Sequence, residues 1–276
     1  MPYARTRLGR WFYEERGGAR RSVDPAIVLW PGLLFDGGMW RHQIEPLAAL
    51  GRVVSFDGPG HGKSEVPPPF SLEDNAEALA DAFAELRIDR AVIVGLSWGG
   101  MLGMRMALQH PARVGALALF DTSADPEDPA RAFKYRVMVA FARRFGMPRA
   151  LVDAQIVPLM FSQRIRFERP DLVERFVRAA SGFPREGTAR ASLAVVVHRK
   201  DIVPRLRSIR APTLVVCGRE DRATEPVHSE RIAREIPGAR LAWIDGAGHV
   251  SALEQPEAVN NVLVPFVREQ LGERVS

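Results

Sequence analysis

The stretch "GLSWGG", residues 95–100, sets Ser97 two positions after Gly95 and two before Gly99. It directly follows the apolar run "AVIVG" and leads into a helix-compatible segment. A strand that turns this sharply into a helix forces its central residue into a strained backbone, and flanking glycines remove the side chains that would collide. Ser97 is therefore expected to stand at the top of a sheet, at a helix N-terminus that favours nearby negative charge. Such a serine suits nucleophilic attack on a carbonyl, provided that a base takes its proton and a third group orients the base.

Of the six histidines, His249 is expected to be that base. The sequence "LAWIDGAGHV" places it in a short Gly-rich loop directly after the last apolar run, at the carboxyl edge where sites of α/β sheets assemble. His42, His61, His110, His198 and His228 fall in helix-like, turn or insertion contexts. The acid should lie between serine and histidine in chain order and also follow a strand. Asp221, in "VVCGREDRATEP", meets both conditions, and Asp121, after "ALALF", is its rival. Asp245 is too near His249 along the chain. Acyl transfer also needs N–H donors for the oxyanion, expected from Trp98 and from Leu33 in "WPGLLFDGG". The side chains of Leu33 and Trp98 are expected to line the acyl pocket as well.

These residues need a scaffold, and the pattern of the chain supplies one. Short apolar runs occupy residues 10–15, 26–30, 52–56, 91–95, 116–120, 213–218 and 239–244, the signature of buried strands. Helical patterns separate them. Ser71 and Asp74 form a capping box before Ala76, Leu79, Ala80, Phe83 and Leu86, and residues 97–109 and 256–271 read as further helices. The alternation predicts an α/β fold with a doubly wound, mostly parallel sheet and helices on both faces. It breaks over residues 124–207, a helical insertion containing Met138, Phe141, Phe145, Met160 and Phe161, so the core is expected to comprise 1–123 and 208–276.

A different chemistry is suggested by "FDGPGHGKSEVPPP", whose Gly62-Lys63-Ser64 matches the end of a phosphate-binding loop. The glycine required five positions earlier is Asp57, whose carboxylate would repel phosphate, and Pro67, Pro68 and Pro69 forbid the helix that must follow. Composition narrows the partners further. A net charge of +5 comes from arginines spread along the chain rather than from one basic face, which argues against nucleic acid. The nearest to a cluster is residues 131–149, an amphipathic basic segment that suits either a membrane or partner surface or, more simply, a solvated helix. The single cysteine, Cys217, lies in an apolar run, which excludes a disulfide framework. No window reaches the roughly 18 to 20 apolar residues of a membrane span, and a soluble, cytoplasmic protein is expected.

Together, "WPGLL", "FDGPGHGKS", "GLSWGG", "GREDRATEP" and "GAGHVSALEQPE" resemble the α/β-hydrolase family outside the insertion, and most of all its 3-oxoadipate enol-lactonase and cofactor-free haloperoxidase-type esterase group. The resemblance implies that Asp57 to Ser64 form a structural turn, that His61 is not the base, and that 124–207 forms a cap over the site. Pro31 stands where that group usually has histidine, and Trp98 is bulkier than its usual residue. The expected activity is hydrolysis of a small, hydrophobic carboxylic ester or lactone with no metal or organic cofactor. Acyl transfer, perhydrolysis and ligand reception without turnover remain alternatives on the same residues, and the oligomeric state is left open.

Overall fold

The computed structural model describes residues 2–18 and 25–272. Its centre is an eight-stranded sheet in the order β1-β2-β4-β3-β5-β6-β7-β8. The strands are β1 (Tyr3–Thr6), β2 (Gly9–Arg16), β3 (Ala26–Trp30), β4 (Val53–Phe56), β5 (Ala91–Leu96), β6 (Val114–Phe120), β7 (Thr213–Gly218) and β8 (Arg240–Ile244). The β1-β2 and β2-β4 pairs are antiparallel, and every other pair is parallel. β1 is the strand that the apolar pattern misses. Of its four residues only Ala4 is buried, so it offers no hydrophobic run to read.

The parallel strands β3 to β7 are buried on both faces, which is why they appear in the sequence as apolar runs, while β8 at the sheet edge buries only Ile244. Val28, Ile93, Leu117 and Val215 pack on one side of the sheet, and Ile27, Val92, Ala118 and Val216 on the other. Helices α1 (Leu72–Glu85), α2 (Trp98–Gln109) and α6 (Pro226–Glu235) cover the first side. Helix α7 (Pro256–Gln270) covers the second through Val259, Leu263 and Phe266. The capping box of α1 is present: Asp74 N–H donates to Ser71 Oγ at 3.1 Å, and Ser71 N–H donates to Asp74 Oδ2 at 2.8 Å.

Between β6 and β7 the regular structure is entirely helical. Helices α3 (Pro129–Phe145), α4 (Pro170–Gly182) and α5 (Arg185–Ser192) are joined by shorter helical turns, the last ending at Ser208. Among the described residues no helix is long and apolar enough to cross a membrane.

Candidate active site

Ser97 sits between the end of β5 and the start of α2 with φ 54° and ψ −107°, in the left-handed region that a side chain adopts only under strain. Its neighbours make that conformation possible. A Cβ on Gly95 would lie 2.2 Å from the backbone of Gly99, and one on Gly99 would lie 2.4 Å from the carbonyl oxygen of Trp30. The turn is locked from β6, because Ser97 N–H donates to the Phe120 carbonyl at 2.8 Å and the Thr122 hydroxyl donates to the Ser97 carbonyl at 2.7 Å.

His249 and Asp221 arrive on the loops after β8 and β7. His249 Nδ1 is 3.0 Å from both Asp221 carboxylate oxygens, so Nδ1 carries the proton and Nε2 is left as the basic nitrogen. Asp221 is itself fixed by the amides of Ala223 and Thr224, at 2.8 and 3.0 Å, and by the Thr224 hydroxyl at 2.8 Å. Burial works against a charged His249, but the Asp221 charge and hydrogen bond outweigh it and hold the imidazole pKa above its ordinary value. Ser97, His249 and Thr224 all open onto one cavity of about 440 Å³.

The rival acid lies behind this pair rather than on the imidazole. Asp121, fully buried at the end of β6, accepts from Gly218 N–H at 2.7 Å and from the Ser251 hydroxyl at 2.5 Å. Burial, then the charge of Asp221, push its carboxyl well above the usual carboxylate range. Oxygens of Asp121 and Asp221 and the Cys217 sulfur lie within 4.8 Å of one another, a spacing that could suit a metal ion. The oxygens are already committed to protein donors, and burial pushes the Cys217 thiol up, away from the thiolate a metal requires.

The two expected N–H donors differ in what surrounds them. Trp98 is the first residue of α2, where amides have no partner within the helix. Leu33 lies in the loop after β3 and lines the cavity, and its amide makes no hydrogen bond among the described residues. The Trp98 side chain corrects an expectation: it does not line the cavity. The indole turns into the core, fully buried, where Nε1–H donates to Asn75 Oδ1 at 2.8 Å and the ring meets Trp30 and His61 edge-on. Gly58 leaves it room, since a Cβ there would come within 2.8 Å of the ring.

His61 has a part that spacing does not reveal. Its Nε2 accepts from Leu34 N–H at 3.2 Å, and Nδ1 donates to the Pro59 carbonyl at 3.2 Å. Burial drives its pKa down to about 4, so the ring is neutral and can keep accepting. Leu34 has φ 68°, and this contact pins its strained backbone beside the Leu33 amide. The phosphate-loop question is answered in the same turn. Asp57 accepts from the amides of Gly37 and Lys63, each at 2.8 Å, so an internal carboxylate satisfies N–H groups that a phosphate would need. Nor does spacing reveal Glu254, which accepts from Gly248 N–H at 3.0 Å and Ser162 N–H at 3.1 Å, tying the His249 loop to the insertion.

The cavity runs from Ser97 into the insertion and is walled by Met138, Met147, Met160, Ile156 and Phe176, with Glu127, Arg143, Arg185 and Arg199 also lining it. Phe161 packs edge-on against Phe176, and Phe141 faces outward.

Residues 27–262 match the Alpha/beta hydrolase family. The chain belongs to that family. It is 31% identical over 262 residues to a protein of Rhizobium rhizogenes named as a carbamate hydrolase, covering 91% of this chain and 95% of the relative. It is 29% identical to 3-oxoadipate enol-lactonase 1 of Acinetobacter baylyi, covering 88% of this chain and 89% of the relative. Among solved structures, the enol-lactonase of Burkholderia xenovorans LB400 superposes with TM-score 0.88 at 31% identity, covering 96% of this chain and 99% of that one. A thermophilic esterase of Thermogutta terrifontis superposes with TM-score 0.89 at 28% identity, covering 98% of both chains. This family member is thus similar to hydrolases of the enol-lactonase and esterase type.

Proposed function

We propose that this α/β hydrolase cleaves a small or medium, hydrophobic carboxylic ester or lactone through an acyl-enzyme on Ser97. The observation that carries the reading is the bond of Asp221 to His249 Nδ1, with His249 and Ser97 opening onto one largely apolar cavity. Nε2 of His249 accepts the Ser97 hydroxyl proton as Oγ attacks the carbonyl carbon, and Asp221 stabilises the imidazolium that forms. The amides of Trp98 and Leu33 hold the oxyanion. The tetrahedral adduct collapses, the imidazolium gives its proton to the leaving alkoxide, and a water deprotonated by His249 then releases the acid and restores Ser97. Residues 124–207 serve as the cap that selects the acyl group. A carbamate carbonyl can follow the same steps, and the relative named for that activity makes a carbamate the natural comparison substrate.

The test offers short-chain nitrophenyl esters, lactones and a carbamate to the purified protein, with and without a fluorophosphonate probe. Ester turnover, probe attachment at Ser97 and loss of about a thousandfold or more of kcat in Ser97→Ala are expected. An unlabelled Ser97, or a Ser97→Ala protein as active as the wild type, refutes the reading.

A further inference from the structure

Helix α3 buries none of its residues fully. Along it Phe133, Val137, Phe141 and Phe145 follow one another at four-residue intervals and are 67, 55, 42 and 65% exposed, the last also reaching the cavity rim. Four-residue steps keep side chains on one slowly turning stripe, here about 18 Å long. Four large apolar side chains aligned in water need a partner, whereas the same residues scattered singly would not.

The charges on the helix select the kind of partner. α3 carries Arg131, Lys134, Arg136, Arg143 and Arg144 and no acidic residue. Arg131 and Arg143 pair with Glu127 and Glu186. Arg136 and Arg144 have no carboxylate partner among the described residues, and the Arg144 guanidinium lies 5.2 Å from the Phe145 ring centroid, within the stripe. A second copy laid stripe to stripe would set these cations against their own kind. The opposite side of the helix, through Tyr135, Met138 and Ala142, walls the cavity, so α3 is a single layer between cavity and surroundings.

We propose that α3 is a docking surface for an anionic phospholipid bilayer, lying in the interface with its phenylalanines below the headgroups and Arg136 and Arg144 among the phosphates. An exposed apolar stripe with basic residues beside and within it matches the chemistry of helices that lie in such an interface, where binding sums buried apolar area and attraction to anionic lipid. Attachment is reversible and independent of the hydrolase reading, because it does not use Ser97, and of the stripe residues only Phe145 also lines the cavity.

The experiment sediments the full-length protein with vesicles of phosphatidylglycerol and phosphatidylcholine, or of phosphatidylcholine alone, at low and high salt. Binding to the mixed vesicles, weakened by salt and absent with phosphatidylcholine alone, is expected. Arg136→Glu/Arg144→Glu and Phe133→Ser/Phe141→Ser should each weaken it about tenfold or more while retaining the wild-type circular dichroism spectrum. The proposal is overturned if the mixed vesicles leave the protein in solution, if both vesicle types bind equally, or if the variants bind as the wild type does. A wild-type dimer that Phe133→Ser/Phe141→Ser makes monomeric also overturns it, by assigning the stripe to a second copy. Capture of an acidic protein without vesicle binding does the same.

Discussion

The two walls of the cavity are built on opposite physical terms. On the sheet side, Ser97, Asp221 and His249 are each at most 7% exposed, each follows a different strand, and each is held by backbone or side-chain hydrogen bonds. On the insertion side, α3 has no buried residue, and the cavity is faced by methionines, whose unbranched side chains adapt to what they touch. A site that must hold reacting atoms to within fractions of an ångström needs the first kind of wall. Choosing among apolar groups of differing length asks only for the second. Substitutions on the sheet side should therefore alter rate, and those on the insertion side should alter which substrate is used.

The sharpest way to break this contrast is to exchange the two buried aspartates for asparagine. Asp221→Asn removes the charge that orients and stabilises the His249 imidazolium, and kcat should fall by about a thousandfold. Asp121 bonds to Gly218 N–H and the Ser251 hydroxyl and not to the imidazole, so Asp121→Asn should change kcat far less, by under about threefold. Equal losses in the two variants would mean that the acid is shared between them. The next largest effect is expected at His61. His61→Ala takes away the acceptor of Leu34 N–H and loosens the loop that carries the Leu33 amide, so kcat should fall about tenfold with KM little changed. A purely structural role would instead lower the melting temperature and leave the kcat of the folded protein intact.

Much of the sheet side is legible in the sequence because its signals are local. Gly95, Ser97 and Gly99 mark the turn, and the apolar runs before Asp221 and His249 mark the strand ends that carry them. What could not be read is the direction of a side chain once several neighbours compete for it. Trp98 turns into the core because Asn75 offers its indole N–H an acceptor and Gly58 makes room, and those residues lie 23 and 40 positions away. Glu254 stands in the recognisable stretch "GAGHVSALEQPE", but its partner Ser162 belongs to the insertion, where no pattern announces which turn returns to the core. The choice between Asp121 and Asp221 was open for the same reason, since both follow strands and only the fold decides which one meets Nδ1.

Acidity separates the rate-determining wall from the rest of the molecule by a gentler route. In the proposed mechanism His249 must be neutral to accept the Ser97 proton, and its pKa is held above the ordinary imidazole value by Asp221 against the opposing effect of burial. Activity should therefore fade as pH drops through that raised value, at a higher pH than an isolated imidazole would set. Stability has the opposite sign. The favourable charged pair contributes fully below the unfolded imidazole pKa and is lost as pH rises through the folded one, so activity appears where this contribution disappears. The midpoint of kcat/KM against pH, compared with an NMR titration of the His249 ring, tests the assignment, and a titration midpoint below the ordinary imidazole value would refute it. In Asp221→Asn the charge and hydrogen bond that most oppose burial are gone, leaving only the lesser influence of Asp121 and Glu254, and the ring's midpoint should move down.

The smallest effects belong to the insertion, where Met160→Ala and Met138→Ala enlarge the cavity without changing Ser97, His249 or the amides of Trp98 and Leu33. An acetyl ester reaches only the sheet side of the cavity, so its kcat/KM should stay within about twofold of the wild type. An acyl chain of six to eight carbons extends between the methionines and loses their contacts, and its kcat/KM should fall several-fold, in keeping with roughly tenfold discrimination per buried methylene. The effect should appear mainly in KM, because these contacts form equally in the bound substrate and in the transition state. If Met160→Ala instead slows the acetyl ester a hundredfold, the insertion helps to hold the reacting atoms. The division between a wall that fixes the chemistry and a wall that sorts acyl groups would then have to be abandoned.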